Sequence, residues 1–177
     1  MKVSSIIQNS VVDGEGLRTV IFFQGCSIGC PGCHNPSSHN KRKGRNYSPQ
    51  QLLDKLIEIG FDKKLTLSGG EPLDQNNEQL LEFLKLFKAE CKKRKIRPNV
   101  WLYSGRKYEY EDLVSDETKK QIFKICNILV DGPFVLKDKG EYVFRGSKNQ
   151  RIIDLKRTMP AKKIIVDRKL QYPELFE

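Results

Sequence analysis

The chain has 177 residues, a formal net charge of +10 and five cysteines. That length fits one domain, residues 1–177, able to bury roughly 70% of its unfolded surface without staples. No apolar run reaches the length of a membrane-spanning helix, and Met1–Gln8 is a poor export signal, so a reducing, cytoplasmic setting is expected. In such a setting cysteines read as metal-binding or catalytic thiols rather than disulfides.

In chain order, Val3–Gln8 is a short strand or extended lead-in. Val12–Gly16 is a turn-rich loop without the third glycine of a dinucleotide fingerprint or the lysine of a phosphate loop. Leu17–Phe23 reads as a strand covered on both faces, because Val20, Ile21, Phe22 and Phe23 are contiguous. A cysteine-rich loop follows, then a long polar and basic loop to Asn46. Ser48-Pro49-Gln50-Gln51 is a helix start with a capping box, Leu52, Leu53, Leu56 and Ile57 form its inward stripe, and Gly60 stops it.

Lys64–Ser68 alternates as a second strand and runs into Gly69-Gly70-Glu71-Pro72. A helix over about Asn76–Lys93 follows, with Leu80, Leu84, Phe87 and Cys91 on one face, so Cys91 reads as core. Asn99–Gly105 is a third strand, Glu109–Lys124 is helical with a break near Ser115-Asp116, and Ile125–Asp131 is a fourth strand in which Cys126 packs. Phe134–Asn149 is irregular, and Ile152–Leu155 and Lys163–Val166 are two further short strands. The β–α alternation predicts an α/β protein with a mostly parallel sheet, open or curved toward a partial barrel. A complete eight-fold barrel needs about 250 residues.

Basic clusters at Lys41-Arg42-Lys43-Gly44-Arg45 and Lys92-Lys93-Arg94-Lys95, with more at Lys162-Lys163 and Arg168-Lys169, together predict attraction to an acidic partner, whether a protein, an anionic cofactor or nucleic acid. With no RNP-like aromatic motif and no helix-turn-helix, nucleic acid ranks below an acidic protein as that partner.

Three cysteines fall in the spacing Cys26-x3-Cys30-x2-Cys33, at the end of a predicted parallel strand, where α/β folds place their chemistry. Thiolates suit iron–sulfur clusters, zinc or copper(I). Cys30-Pro31-Gly32-Cys33-His34 also reads as a c-type haem attachment, and Cys30-Pro31-Gly32-Cys33 as a redox pair, but both leave Cys26 unexplained. A zinc site using His34 or His39 lacks a second separated ligand pair. Three thiolates on a four-iron cluster leave one iron open, and spacing favours this over zinc by a small margin. The Gly69-Gly70-Glu71-Pro72 turn adds to it: the glycines let backbone approach a ligand, and an exposed Glu71 carboxylate can accept from an ammonium group.

The cysteine motif followed by Gly69-Gly70-Glu71-Pro72 resembles the radical S-adenosylmethionine superfamily. More narrowly, Asp13-Gly14-Glu15-Gly16-Leu17-Arg18, Phe22–Cys26 and Cys33-His34-Asn35 are similar to the glycyl-radical-enzyme activases. Trp101–Gly105, Asp131-Gly132-Pro133-Phe134 and Arg145-Gly146-Ser147-x-Asn149-Gln150-Arg151 resemble the subgroup that serves the anaerobic (class III) ribonucleotide reductases. The resemblance covers roughly residues 5–155 and implies an incomplete TIM-like barrel of radical SAM type. It implies that Cys26, Cys30 and Cys33 hold three irons of a 4Fe-4S cluster, whose fourth iron takes S-adenosylmethionine. Gly69, Gly70 and Glu71 would meet its amino group, and Ser104 and Asp131 its ribose or neighbouring parts. Arg145–Arg151 would bind the cofactor or shape the partner surface.

One departure is Gly32, where the superfamily usually carries an aromatic residue. An adenine contact there would be backbone only, with His34 supplying a ring. The implied reaction is one-electron reduction of S-adenosylmethionine, giving methionine and a 5′-deoxyadenosyl radical that takes hydrogen from a glycine of the partner reductase. A flavodoxin or ferredoxin is expected to supply the electron. Rival readings are an activase of another glycyl radical enzyme, of pyruvate formate-lyase type, and a zinc-stabilised basic module that binds nucleic acid.

Overall fold

A computed structural model describes residues 1–176. The chain runs β1 (Lys2–Ser10), β2 (Arg18–Phe23), β3 (Arg45–Asn46), α1 (Pro49–Gly60), β4 (Lys64–Gly69), α2 (Asn77–Lys93) and β5 (Asn99–Ser104). It continues through α3 (Tyr110–Val114), α4 (Glu117–Ile125), β6 (Ile128–Asp131), a hairpin of β7 (Lys139–Tyr142) and β8 (Arg145–Ser147), β9 (Arg151–Asp154), α5 (Leu155–Ala161) and α6 (Arg168–Gln171). The helix starts follow local chemistry. Ser48 and Gln51 form both halves of the capping box at α1, and the Asn76, Asp116 and Asp154 side chains cap α2, α4 and α5.

Seven strands form one sheet in the order β3-β1-β2-β4-β5-β6-β9. Its centre, β2-β4-β5-β6, is parallel, while β1, β3 and β9 join antiparallel. The edge strands β3 and β9 do not meet, so the barrel is not closed. Alternation along the strands divides the interior. Ile21, Phe23, Leu65, Leu67, Val100, Leu102 and Leu129 pack with Leu52 and Leu56 of α1, Leu84 and Phe87 of α2, and Ile122 and Phe123 of α4. Trp101, Ile128, Val130 and Ile152 form a second cluster.

Arg18 is buried beneath that second cluster. Its guanidinium lies 5.2 Å over the Trp101 ring and donates to Thr66 Oγ1 (2.8 Å), Leu65 O (2.9 Å) and both Asn99 oxygens (2.8 and 3.0 Å). It therefore ties the N-terminal ends of β2, β4 and β5 together, and burial pulls its pKa down to about 10. Gly14 is needed beside it: its φ is +133°, and a Cβ would lie 2.9 Å from Arg18 Cδ and Trp101 Cδ2. Part of the Asp-Gly-Glu-Gly-Leu-Arg block thus closes the sheet's far end.

Two expectations change. Lys163–Val166 is not a strand: the chain returning after α5 makes a single bridge, from Val166 to Ile153. Phe134–Asn149, expected to be irregular, contains the β7–β8 hairpin.

Candidate metal centre

The C-terminal ends of β2, β4 and β5 open into a cavity of about 750 Å³. Phe22, Ser68, Tyr103 and Ser104 face it from the strands, Cys26, Cys30, Cys33 and His34 from the cysteine loop, and Tyr142–Gly146 from the hairpin. This volume is in the range of small-molecule and cofactor sites. All three cysteines are free and half-buried. Burial pushes the Cys30 thiol up from its ordinary pKa, against a hydrogen bond from the Phe134 backbone. Among the described residues, no three His, Cys, Asp or Glu side chains converge on a single-ion site. Cys26, Cys30 and Cys33 line the same cavity, and the neighbouring Cys33 and Cys26 thiols push the Cys30 pKa up further.

The loop owes its shape to its neighbours. Gly25 N donates to Ser38 O (2.7 Å), Cys26 N to His39 O (3.4 Å) and Cys33 N to Cys30 O (3.1 Å). The Gly69-Gly70-Glu71 turn presses against it from the other side, with Gly70 N donating to Phe23 O (2.8 Å) and Glu71 N to Gly25 O (2.9 Å). A Cβ on Gly70 would overlap the Gly25 carbonyl oxygen, so only glycine permits this approach.

The predicted site residues divide. Cys26, Cys30, Cys33, His34, Gly69, Gly70, Ser104 and Arg145 all line the cavity, whereas Gly32, Glu71 and Asp131 do not. The exposed carboxylate expected at Glu71 is corrected: the residue is 0% exposed. Its Oε1 accepts from Leu73 N (3.0 Å) and its Oε2 from Gly105 N (2.9 Å) and Ser104 Oγ (3.0 Å). Glu71 thus joins the ends of β4 and β5 from behind the cavity wall. Burial raises its pKa, opposed by those three donors. A carboxyl raised in the folded state contributes stability that is fully present below its unfolded pKa and lost as pH rises through its folded pKa. The stability advantage of the native chain over Glu71→Gln should therefore shrink as pH rises above about 4.5, read from urea melts across that range.

Asp131, expected near the cofactor, is also 0% exposed. Its carboxylate accepts from Arg151 Nε (2.9 Å), Arg151 Nη2 (2.6 Å) and Tyr108 N (2.9 Å), which leaves Gly132 to line the cavity. Gly32 has φ +73°, and a Cβ there would sit 3.0 Å from Leu136 Cδ1, so an aromatic side chain is disfavoured by backbone and by space. His34 packs against Phe134 with ring centroids 4.9 Å apart. The Arg145 guanidinium lies over Tyr142 (4.6 Å) and Tyr172 (5.8 Å) and donates to Lys148 O (3.0 Å) and Gln171 O (2.7 Å). Its Nε is buried with no protein partner among the described residues.

Asp74 and Arg106 carried no sequence signal, because neither belongs to a spaced motif. Asp74 Oδ2 accepts from Ser27 N (2.6 Å), next to Cys26. Arg106 Nη2 donates to Asp74 Oδ1 (2.7 Å) and Ser27 Oγ (3.0 Å). Burial opposes ionisation, but the bonds from Ser27 and Arg106 outweigh it and hold the Asp74 carboxyl below the usual range. The pair latches the cysteine loop to the loops after β4 and β5. Asp74→Ala should cost about 1 kcal/mol, the worth of one such hydrogen-bonded surface pair. By NMR, hydrogen exchange at the Ser27 amide should accelerate while amides in β4 and β5 stay protected.

Residues 12–153 match the family model described as a 4Fe-4S single cluster domain. The chain is 32% identical over 153 residues to the anaerobic ribonucleoside-triphosphate reductase-activating protein of Escherichia coli (strain K12), covering 82% of this chain and 94% of that protein. It is 35% identical over 149 residues to the protein of the same name from Pasteurella multocida (strain Pm70), covering 80% and 90%. It is also 34% identical over 148 residues to the pyruvate formate-lyase-activating enzyme of Clostridium pasteurianum, covering 81% of this chain but 60% of that one. With three free thiols along one cavity wall inside the matched region, the chain belongs to the 4Fe-4S single cluster domain family, alongside the anaerobic ribonucleoside-triphosphate reductase-activating proteins.

Proposed function

We propose that this protein is a radical S-adenosylmethionine enzyme that activates an anaerobic ribonucleotide reductase by forming a glycyl radical on it. The observation that carries the reading is the shared wall: three free thiols and the Gly69-Gly70 edge face one cavity of about 750 Å³. The donor set fits a 4Fe-4S cluster, since Cys26, Cys30 and Cys33 would supply three ligands and leave one iron open. When bound, the cluster would supply one electron for reductive cleavage of S-adenosylmethionine, the chemistry needed to remove a hydrogen from a reductase glycine.

The chain's own residues hold and shield the reactants. Gly69 and Gly70 offer backbone to the cofactor's amino-acid end without a side chain in the way. Ser104 Oγ donates to Glu71 Oε2 and accepts from Arg106 N (3.2 Å), and its remaining lone pair would accept from a ribose hydroxyl. Glu71 acts indirectly, by fixing Ser104 and Gly105. His34, steadied on Phe134, offers a ring for adenine, and the Arg145 guanidinium at the cavity wall offers its positive charge to an anionic group. Phe22, Tyr103 and Phe144 give the cavity apolar surface that limits water near a radical. A ferredoxin or flavodoxin would supply the electron.

The Clostridium relative keeps a pyruvate formate-lyase-type activase as the second reading, although this chain spans only 60% of that enzyme. Anaerobic reconstitution tests the shared part. A brown protein with about four irons per chain, forming 5′-deoxyadenosine with S-adenosylmethionine and reductant, is expected. A colourless protein holding one zinc would contradict the reading.

A further inference from the structure

The segment from Gly16 to Leu53 contains no Asp or Glu, and its only cations apart from buried Arg18 are Lys41, Arg42, Lys43 and Arg45. All four are exposed, and none makes an ion pair among the described residues. The loop that carries them is built onto the residues leading into Cys26. Gln24 Nε2 donates to Ser37 O (2.9 Å) and Asn40 O (2.9 Å), Gly25 N to Ser38 O (2.7 Å), and Cys26 N to His39 O (3.4 Å). A Cβ on Gly25 would lie 3.2 Å from Lys41 Cγ, and one on Gly44 2.7 Å from Gln24 Cβ. Lys2 Nζ donates to Lys41 O (2.6 Å), and β3 fastens the loop's end to β1.

The loop therefore has two sides. Asn35, Ser38 and His39 line the cavity, and the four cations do not. We propose that Lys41, Arg42, Lys43 and Arg45 form the docking surface for an acidic one-electron carrier protein, on the solvent side of the cysteine loop. This rests on the functional reading above, because only a bound cluster needs an electron there. Charge complementarity selects the partner: unpaired cations with no neighbouring carboxylate in that segment repel a basic protein and steer an acidic one. Position selects its task. A carrier seated here reaches the cysteine loop through the backbone bonds of Gly25 and Cys26, and the cavity mouth stays free for the reductase. In the transfer the carrier is oxidised by one electron and the bound cluster reduced by one.

The test uses the full chain with Lys41→Gln, Arg42→Gln and Lys43→Gln combined; glutamine keeps the packing stems, and Arg45 in β3 is left alone. The probe is a plant-type ferredoxin, an acidic one-electron carrier. Calorimetric binding of oxidised ferredoxin to the iron-free chain should weaken about tenfold in the variant at low salt, as expected for lost steering charge. High salt, which screens such charges, should erase the difference. In stopped flow, reduction of the reconstituted chain by ferredoxin should slow by a similar factor, while reduction by the cationic viologen radical should not slow. Equal ferredoxin binding and reduction in both proteins would overturn the assignment. So would unchanged reduction combined with weakened binding of the reductase or of DNA. A chain that takes up no iron would instead overturn the functional reading, and this proposal with it.

Discussion

Replacing Cys26, Cys30 or Cys33 by Ala is expected to abolish cluster binding in each case, whereas Cys91→Ala and Cys126→Ala are expected to leave the iron content intact. The first three thiols are half-buried on one cavity wall. Each would be the sole protein ligand of one iron, so no neighbour can take its place. Cys91 lies on the packed face of α2 and Cys126 at the end of α4, both fully buried. Burial pushes their thiols up to about 11 and about 12, which makes them inert packing groups. Their loss removes one heavy atom from a core, a change of about 1 kcal/mol. Iron per chain and visible absorbance after reconstitution, with thermal melts of the iron-free proteins, separate the two groups: the first should lose colour and keep the iron-free melt, the second should keep colour and melt at a lower temperature.

Gly70→Ala is expected to lower both stability and iron retention. The added Cβ would overlap the Gly25 carbonyl oxygen, a backbone atom that cannot swing aside. Relief requires β4's end to withdraw from the cysteine loop, which breaks the bonds from Gly70 N to Phe23 O and from Glu71 N to Gly25 O. The loss of two buried hydrogen bonds together with backbone displacement costs about 3 kcal/mol or more. Because the loop that moves carries Cys26, iron retention should fall along with stability. Urea melts and iron counts made on the same preparation check both.

The central fold was readable because local signals and burial agreed. Ser48, Pro49 and Gln51 mark the start of α1 by side-chain chemistry alone, and the contiguous Val20–Phe23 run marks a strand covered on both faces. The β7–β8 hairpin was hidden because β7 is mostly exposed, so Lys139–Tyr142 shows no alternation to read, and β8 is only three residues long. Lys163–Val166 looked like a strand by composition, yet only Val166 finds a bridge. At the site, the cysteine spacing and the Gly69-Gly70 turn singled out residues that the fold brings to one cavity. What spacing does not carry is direction. Glu71 and Asp131 follow strand ends just as ligand-facing residues do, but backbone amides and Arg151 claim their carboxylates from behind the wall. Gly32 became intelligible only with its φ of +73° and Leu136 in view.

The most direct test of the central claim is an electron paramagnetic resonance spectrum. The reconstituted chain would be incubated anaerobically with S-adenosylmethionine, a reduced carrier and an anaerobic ribonucleotide reductase. A glycyl radical signal on the reductase, absent when Cys30→Ala replaces the native chain, is the predicted result. A chain with its full iron content that forms 5′-deoxyadenosine but leaves an intact reductase without that signal would contradict it.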